Sequence, residues 1–84
     1  MTKTEILTEK MKDFTDQDKR VLRQILDHGL PLRSELFESL PDIRSESIDM
    51  ATGKAVKVGV VSLDPTTHRY SVGSHFKDDL KGLV

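Results

Sequence analysis

Apolar positions recur at helical spacing over most of the chain and give way to a strand-like pattern in one stretch toward its C-terminal end. Apolar residues three and four apart predict helices, and short β-branched or aromatic runs between turn-forming residues predict strands. The predicted helices span residues 4–13, 15–28, 34–40, 45–57 and 74–84, and the predicted strands span residues 60–63 and 68–72. We therefore expect an α+β fold that is mainly helical.

The helix predicted over residues 15–28 has the clearest signals. Its apolar stripe consists of Val21, Leu22, Ile25 and Leu26. Thr15 can cap the first turn, and Asp18 three residues later stands in the capping-box position. Gly29 follows the last periodic residues and provides a stop. These local signals define both ends of the helix.

The helix that begins near Ser45 has an uncertain end. Ser45 is the predicted cap, and Ile48 begins its apolar face. Gly53 lies inside the pattern and costs about 1 kcal/mol relative to Ala. We favour a helix that continues to Lys57, with Gly59 as the break. The alternative is a helix that ends at Gly53 and is followed by a longer hairpin.

The two predicted strands are joined by Asp64, Pro65, Thr66 and Thr67. Asp and Pro at the first two positions suit a type I turn, which builds four-residue hairpin loops. A hairpin over residues 60–72 is therefore predicted.

The order of three helices and a hairpin over residues 15–73 resembles the winged helix domain, a variant of the helix-turn-helix. The resemblance rests on Val21-Leu22-xx-Ile25-Leu26, on residues 29–36, on Ser45-xx-Ile48 with residues 57–61, and on residues 64–70. It implies a three-helix core, a C-terminal two-stranded wing and short flanking helices. Residues 1–14 would then be an N-terminal amphipathic extension and residues 74–84 a C-terminal short helix capped by Ser74. The usual capping Thr or Ser of the second helix falls on Arg33, so Ser34 is predicted to replace it.

Composition narrows the possible functions. The 84 residues suit one domain, and the absence of cysteine excludes disulfides and thiolate metal sites. Apolar runs are too short to span a membrane, and residues 1–5 lack the apolar stretch of a secretory signal. We expect a cytoplasmic protein. The three histidines have no partners at metal-ligand spacing, and no catalytic or nucleotide-binding motif occurs, so we expect no enzyme, metal or cofactor.

The winged helix resemblance implies double-stranded DNA as a partner, with the third helix in the major groove and the wing beside it. The residues expected to bind DNA are Arg33, Ser34, Arg44, Ser45, Ser47, Lys54, Lys57, His68 and Arg69. The net charge of −1 opposes this, and so do Glu46 and Asp49 on the early turns of the third helix. The alternative is a protein-protein interaction or dimerisation module that does not bind DNA. An apolar or acidic outward face on the third helix would favour that alternative.

The two terminal segments carry apolar stripes outside the three-helix core. They consist of Ile6, Leu7, Met11, Phe76, Leu80 and Leu83. These side chains either cover the core of their own chain or form a two-fold homodimer interface. Such a dimer would place two recognition helices one DNA turn apart.

Overall fold

The structure, a computed structural model, describes residues 2–84, which form five α-helices and a two-stranded antiparallel sheet. The elements are α1 (Lys3–Lys10), α2 (Asp16–His28), α3 (Arg33–Ser39), α4 (Ser45–Lys57), β1 (Val61–Leu63), β2 (Tyr70–Val72) and α5 (Lys77–Lys81). The fold is α+β and mainly α, as the sequence predicts. Met1, the first residue of the predicted N-terminal extension, lies outside the described residues.

The capping box predicted for α2 is present. The Thr15 hydroxyl accepts from the Asp18 N–H at 3.2 Å, and the Asp18 carboxylate accepts from the Thr15 N–H at 3.0 Å. At the other end Gly29 adopts φ +96°, a conformation that glycine reaches without steric cost. Both predicted ends of this helix are confirmed.

The caps predicted for the next two helices are wrong, because both serines lie inside the first turn. Helix α3 begins at Arg33, since Leu32 is held extended by its bridge to Arg69. Helix α4 begins at Ser45 itself. The preceding turn is closed by the Ile43 N–H, which donates to the Leu40 carbonyl at 3.1 Å, and this leaves Arg44 as the last extended residue.

Helix α4 continues through Gly53 and ends at Lys57, so the shorter alternative is wrong. The chain then reverses at Gly59, which has φ +83°. The Val60 N–H donates to the Ala55 carbonyl at 3.0 Å, and this bond ties the start of the hairpin to the last turn of α4. The position of β1 beside α4 is fixed by this turn.

The predicted hairpin is confirmed, with Val61 opposite Val72 and Leu63 opposite Tyr70. Its second strand begins later than expected, because His68 has φ +58° and is therefore left-handed rather than extended. The His68 N–H donates to the Asp64 carbonyl at 2.8 Å. Residues 64–69 connect the two strands, two residues more than the predicted four.

The extended segment before α3 adds to the other side of β2. The Tyr70 N–H donates to the Pro31 carbonyl at 2.9 Å, and Leu32 forms an isolated antiparallel bridge with Arg69. The hairpin is therefore fastened to the entrance of α3 as well as to the end of α4.

The terminal helices are shorter than predicted. Helix α1 ends at Lys10, and α5 covers only Lys77–Lys81, after a turn in which the Phe76 N–H donates to the Gly73 carbonyl. Ser74 lies in that turn and is not the cap of α5, which corrects the prediction. The two helices pack against each other, and α5 also packs against α2. Leu7 of α1 and Leu80 of α5 belong to the same core cluster as the rest of the chain.

The longest helices of residues 2–84 are α2 and α4, with 13 residues each. No helix in this part of the chain has the length and apolar character needed to cross a membrane.

Candidate functional site

Helix α4 is fixed to the core through one face. Ile48, Ala51 and Ala55 are almost completely buried, and the packing of α4 on α2 is the most extensive helix contact of the fold. The small alanines allow the two helices to approach closely. Because these three residues define the inner face, the positions on the opposite side of α4 point outward.

The outward face of α4 carries Glu46, Met50, Gly53 and Lys57, all of them exposed. Met50 retains 66% of its accessible surface, which is unusual for a large apolar side chain. Neither Met50 nor Gly53 is among the functional residues predicted from the sequence. The outward position of Met50 could have been predicted from the helical phase, since Met50 lies two residues after the buried Ile48 and therefore falls on the opposite side of the helix.

A shallow groove of about 250 Å³ runs between α4 and the hairpin. Its lining consists of Asp49, Thr52, Gly53, Val56, Leu63 and Tyr70. Val56 is 40% exposed and Leu63 is 43% exposed. The Thr52 hydroxyl is turned inward and donates to the Asp49 carbonyl at 3.0 Å. The groove is therefore mostly apolar, with one carboxylate at its rim.

That carboxylate is neutralised by Arg33 at the start of α3. The Arg33 Nε donates to Asp49 at 2.8 Å and a terminal nitrogen donates at 2.6 Å, a bidentate geometry. The guanidinium also lies 4.9 Å from the centre of the Phe37 ring. The hydrogen bonds from Arg33 hold the pKa of Asp49 below its ordinary value. Arg33 was expected to bind DNA, and here two of its hydrogen bonds go to Asp49 within the chain, while its side chain stays 60% exposed.

Lys54 points to the inner side of α4 rather than outward. Its Nζ donates to the Asp18 carboxylate at 2.7 Å and lies 5.8 Å from the centre of the Phe14 ring. Burial by itself would raise the pKa of Asp18. The hydrogen bonds from Lys54 and Thr15 outweigh it, so this pKa lies below its ordinary value. The charge of Lys54, which was expected to contact DNA, thus pairs with a nearly buried carboxylate.

Arg69 is also held within the chain. Its guanidinium donates to the Leu30 carbonyl at 2.7 Å and reaches the Glu35 carboxylate at 3.4 Å. Glu35 accepts from the Leu32 N–H at 2.9 Å and contacts His28 Nε2 at 3.0 Å. The Leu32 N–H is the largest influence that lowers the pKa of Glu35, and His28 and Arg69 add to it. Glu35, which the sequence analysis did not select, thus joins α2, α3 and the hairpin.

The remaining residues expected at a DNA interface are spread widely. Ser34, Arg44, Ser45, Lys57 and His68 are exposed, and Ser47 is half-buried. Arg44 approaches Glu46 at 3.9 Å, too far for a hydrogen bond. Lys57 and His68 make no side-chain ion pair with any residue of 2–84. Ser34 and His68 nevertheless line one shallow pocket together with Leu32, Arg33 and Phe37. Arg44 and Ser45 lie at the start of α4 and Lys57 at its end.

The six residues proposed for a dimer interface lie mainly within the core. Leu7, Met11 and Leu80 are at most 5% exposed in a single chain, whereas Ile6, Phe76 and Leu83 are half-buried. The three buried side chains are covered within the single chain and offer little surface to a second copy. Leu7, Met11 and Leu80 therefore cover the core of their own chain, which was the first of the two alternatives.

No protein-family model, no curated protein and no solved structure matches this chain.

Proposed function

We propose that the chain is a winged helix domain that serves as a protein-interaction module and contacts its partner through the outward face of α4. Three features support the winged helix assignment: the order of α2, α3 and α4, the hairpin that follows them, and the extended segment at Leu32 beside β2. The observation that carries the function is the outward face of α4, where Met50 is 66% exposed and Gly53 borders a mostly apolar groove.

Electrostatics disfavours DNA on this face. DNA binding needs cations and donors that are free to neutralise phosphates. Arg33, Lys54 and Arg69 instead pair with Asp49, Asp18 and Glu35. Any contact with phosphate would have to replace those carboxylates. Glu46 remains exposed at the N-terminal end of α4, where it repels phosphate.

The apolar side chains favour a protein surface as partner. Val56 and Leu63 line one groove beside Gly53, and Met50 lies one turn before Gly53 on the same helix. Isolated apolar residues on a surface are ordinary, but neighbouring ones are typical of the central part of protein interfaces. Methionine is well suited to such a site because its flexible side chain adapts to different partners.

Binding to DNA is the second candidate, and one observation favours it. Arg44 directly precedes α4, the helix that follows the helix-turn-helix turn, and it is exposed together with Ser45 and Lys57 of that helix. In a DNA complex Arg44 and Lys57 would contact phosphates, and Ser45 would donate from the first turn of the helix.

A titration of labelled random duplex DNA, followed by fluorescence anisotropy at about 50 mM salt, separates the two candidates. We expect no salt-dependent binding at protein concentrations up to about 100 µM, the weak end of ordinary non-specific affinity. Salt-dependent binding would overturn the module proposal if Arg44→Ala and Lys57→Ala weaken it. Lys77→Ala on α5 is the control and should leave the binding unchanged. The variant Glu46→Gln with Asp49→Asn should gain DNA affinity, because it removes two carboxylates and frees Arg33.

A further inference from the structure

The four outward residues of α4 are spaced as in a helix-packing stripe. Glu46, Met50, Gly53 and Lys57 follow one another at intervals of four, three and four residues. This is the heptad spacing that keeps one face of a helix directed toward a partner helix. All four positions are exposed, and none of them belongs to the core.

The stripe is complementary to itself when reversed. If two copies of α4 pack antiparallel around a two-fold axis, Met50 of each copy faces Gly53 of the other. The same register places Glu46 of each copy opposite Lys57 of the other. A two-fold interface requires this reciprocity, in which each contact occurs twice. We propose that the partner of this face is a second copy of the chain, bound through antiparallel packing of α4 on α4. The proposal rests on the proposed function as a protein-interaction module.

Gly53 supports a close approach at the centre of the stripe. Glycine lowers the stability of a helix, so a packing or functional reason is expected for it. Within residues 2–84 no such reason is found, because a β-carbon at Gly53 would meet no heavy atom within 4 Å beyond its own turn of helix. The absence of a side chain leaves an open place in the groove formed with Val56 and Leu63. The Met50 side chain of a second copy fits this place.

The charges near the stripe allow two copies to approach. Asp49 borders the groove, but Arg33 neutralises it through two hydrogen bonds. Lys54 is engaged with Asp18 on the inner side. The charges that remain on the stripe are Glu46 and Lys57, and the antiparallel register pairs each with its opposite. A parallel arrangement would instead place like charges together.

Charge reversal tests the pairing directly. Sedimentation equilibrium over about 10 µM to 1 mM covers the weak association expected of a short interface. We expect the wild type to dimerise in this range. Glu46→Lys and Lys57→Glu should each weaken self-association by about tenfold or more, because each replaces two attractions by two repulsions. A mixture of the two variants should form the heterodimer, in which every pair is again opposite in charge.

Lys81→Glu on α5 is the matched control, and it should associate like the wild type. A wild type that stays monomeric at every concentration would overturn the second-copy proposal. The module proposal would then still be decided separately, by the DNA titration. A dimer that persists in both single variants, or variants that fail to combine in the mixture, would also overturn the proposed pairing.

Gly53→Ala separates association from folding. The new β-carbon lies in open space in the single chain and improves helix propensity, so the melting temperature should rise. In the dimer the same carbon occupies the place of the partner's Met50, so association should weaken by about tenfold. A variant that melts higher and dimerises like the wild type would overturn the contact between Met50 and Gly53.

Discussion

The two sides of α4 use similar residue types for different purposes. On the inner side Lys54 pairs with Asp18 beside Phe14, and on the outward side Lys57 lies three residues further along with no ion pair in residues 2–84. Likewise Ile48 is 1% exposed, whereas Met50 is 66% exposed. A lysine or a large apolar residue therefore has a structural role on one side of this helix and remains available to a partner on the other.

This difference also explains why charge counts along the chain are poor guides to function here. Three of the cations expected to contact DNA are used to join elements of the fold. Arg33 connects α3 to α4, Lys54 connects α4 to the cap of α2, and Arg69 connects the hairpin to α3. The surface left to a partner consequently has fewer unpaired cations than the sequence suggests.

The largest effect is expected from removing apolar volume on the inner side. Ile48→Ala should lower the free energy of unfolding by about 2–5 kcal/mol, because it leaves a cavity in the core. Met50→Ala is the corresponding substitution on the outward side, and it should change the free energy of unfolding by no more than about 0.5 kcal/mol. Urea denaturation of both variants measures the difference. Equal losses would mean that Met50 is part of the core and not of a free surface.

A smaller effect is expected from the two lysines. Lys54→Met removes the partner of the nearly buried Asp18 carboxylate and should cost about 1–2 kcal/mol. Lys57→Met should cost less than about 0.5 kcal/mol, because its ammonium is exposed. Both substitutions keep a long aliphatic chain on the same helix, so each serves as the control of the other. If thermal or urea unfolding gives the same loss of unfolding free energy for both variants, the two sides of α4 do not differ in the way described.

The sequence correctly predicted those parts of the fold that are decided by interactions between residues close along the chain. The capping box of α2 involves residues three apart, and Gly29 and Gly59, predicted to end their helices, adopt the positive φ that glycine allows. The cap Ser45 was misassigned because the turn closed by Ile43 and Leu40 makes Arg44 the last extended residue before α4. The cap Ser34 was misassigned because the start of α3 depends on a tertiary contact. Leu32 is held by Arg69, which lies beyond the next two helices.

The candidate site was harder to predict because its decisive contacts are distant in sequence. Arg33 and Asp49 are 16 residues apart, Lys54 and Asp18 are 36 apart, and Arg69 and Glu35 are 34 apart. No periodicity in a single sequence indicates which cation meets which carboxylate. The outward position of Met50 was accessible from the helical phase, whereas the groove beside Leu63 required the position of the hairpin.

The smallest effect is expected in the dependence of the free energy of unfolding on pH. Its measurement separates the contribution of the ion pair between Lys54 and Asp18, called the inner pair, from that of the other carboxylates. The pKa of Asp18 is lower in the folded chain than its ordinary value, so the folded state binds the proton less tightly than the unfolded state does. The pair therefore contributes its full stabilisation above the ordinary pKa of an aspartate, and this contribution is lost as the pH falls through the folded value. Asp49, Asp42 and Glu35 shift in the same direction and add to the loss in the wild type.

Urea unfolding measured at pH 7, 5, 4 and 3 should show that Lys54→Met loses less stability on acidification than the wild type. The difference should not exceed the cost of that substitution at neutral pH, because protonation of Asp18 cannot remove more than the pair contributes. Lys57→Met should follow the wild-type curve, since its ammonium has no carboxylate partner in residues 2–84. If Lys54→Met and the wild type lose stability in parallel, the carboxylates paired with arginine or histidine account for the acid sensitivity, and the inner pair does not.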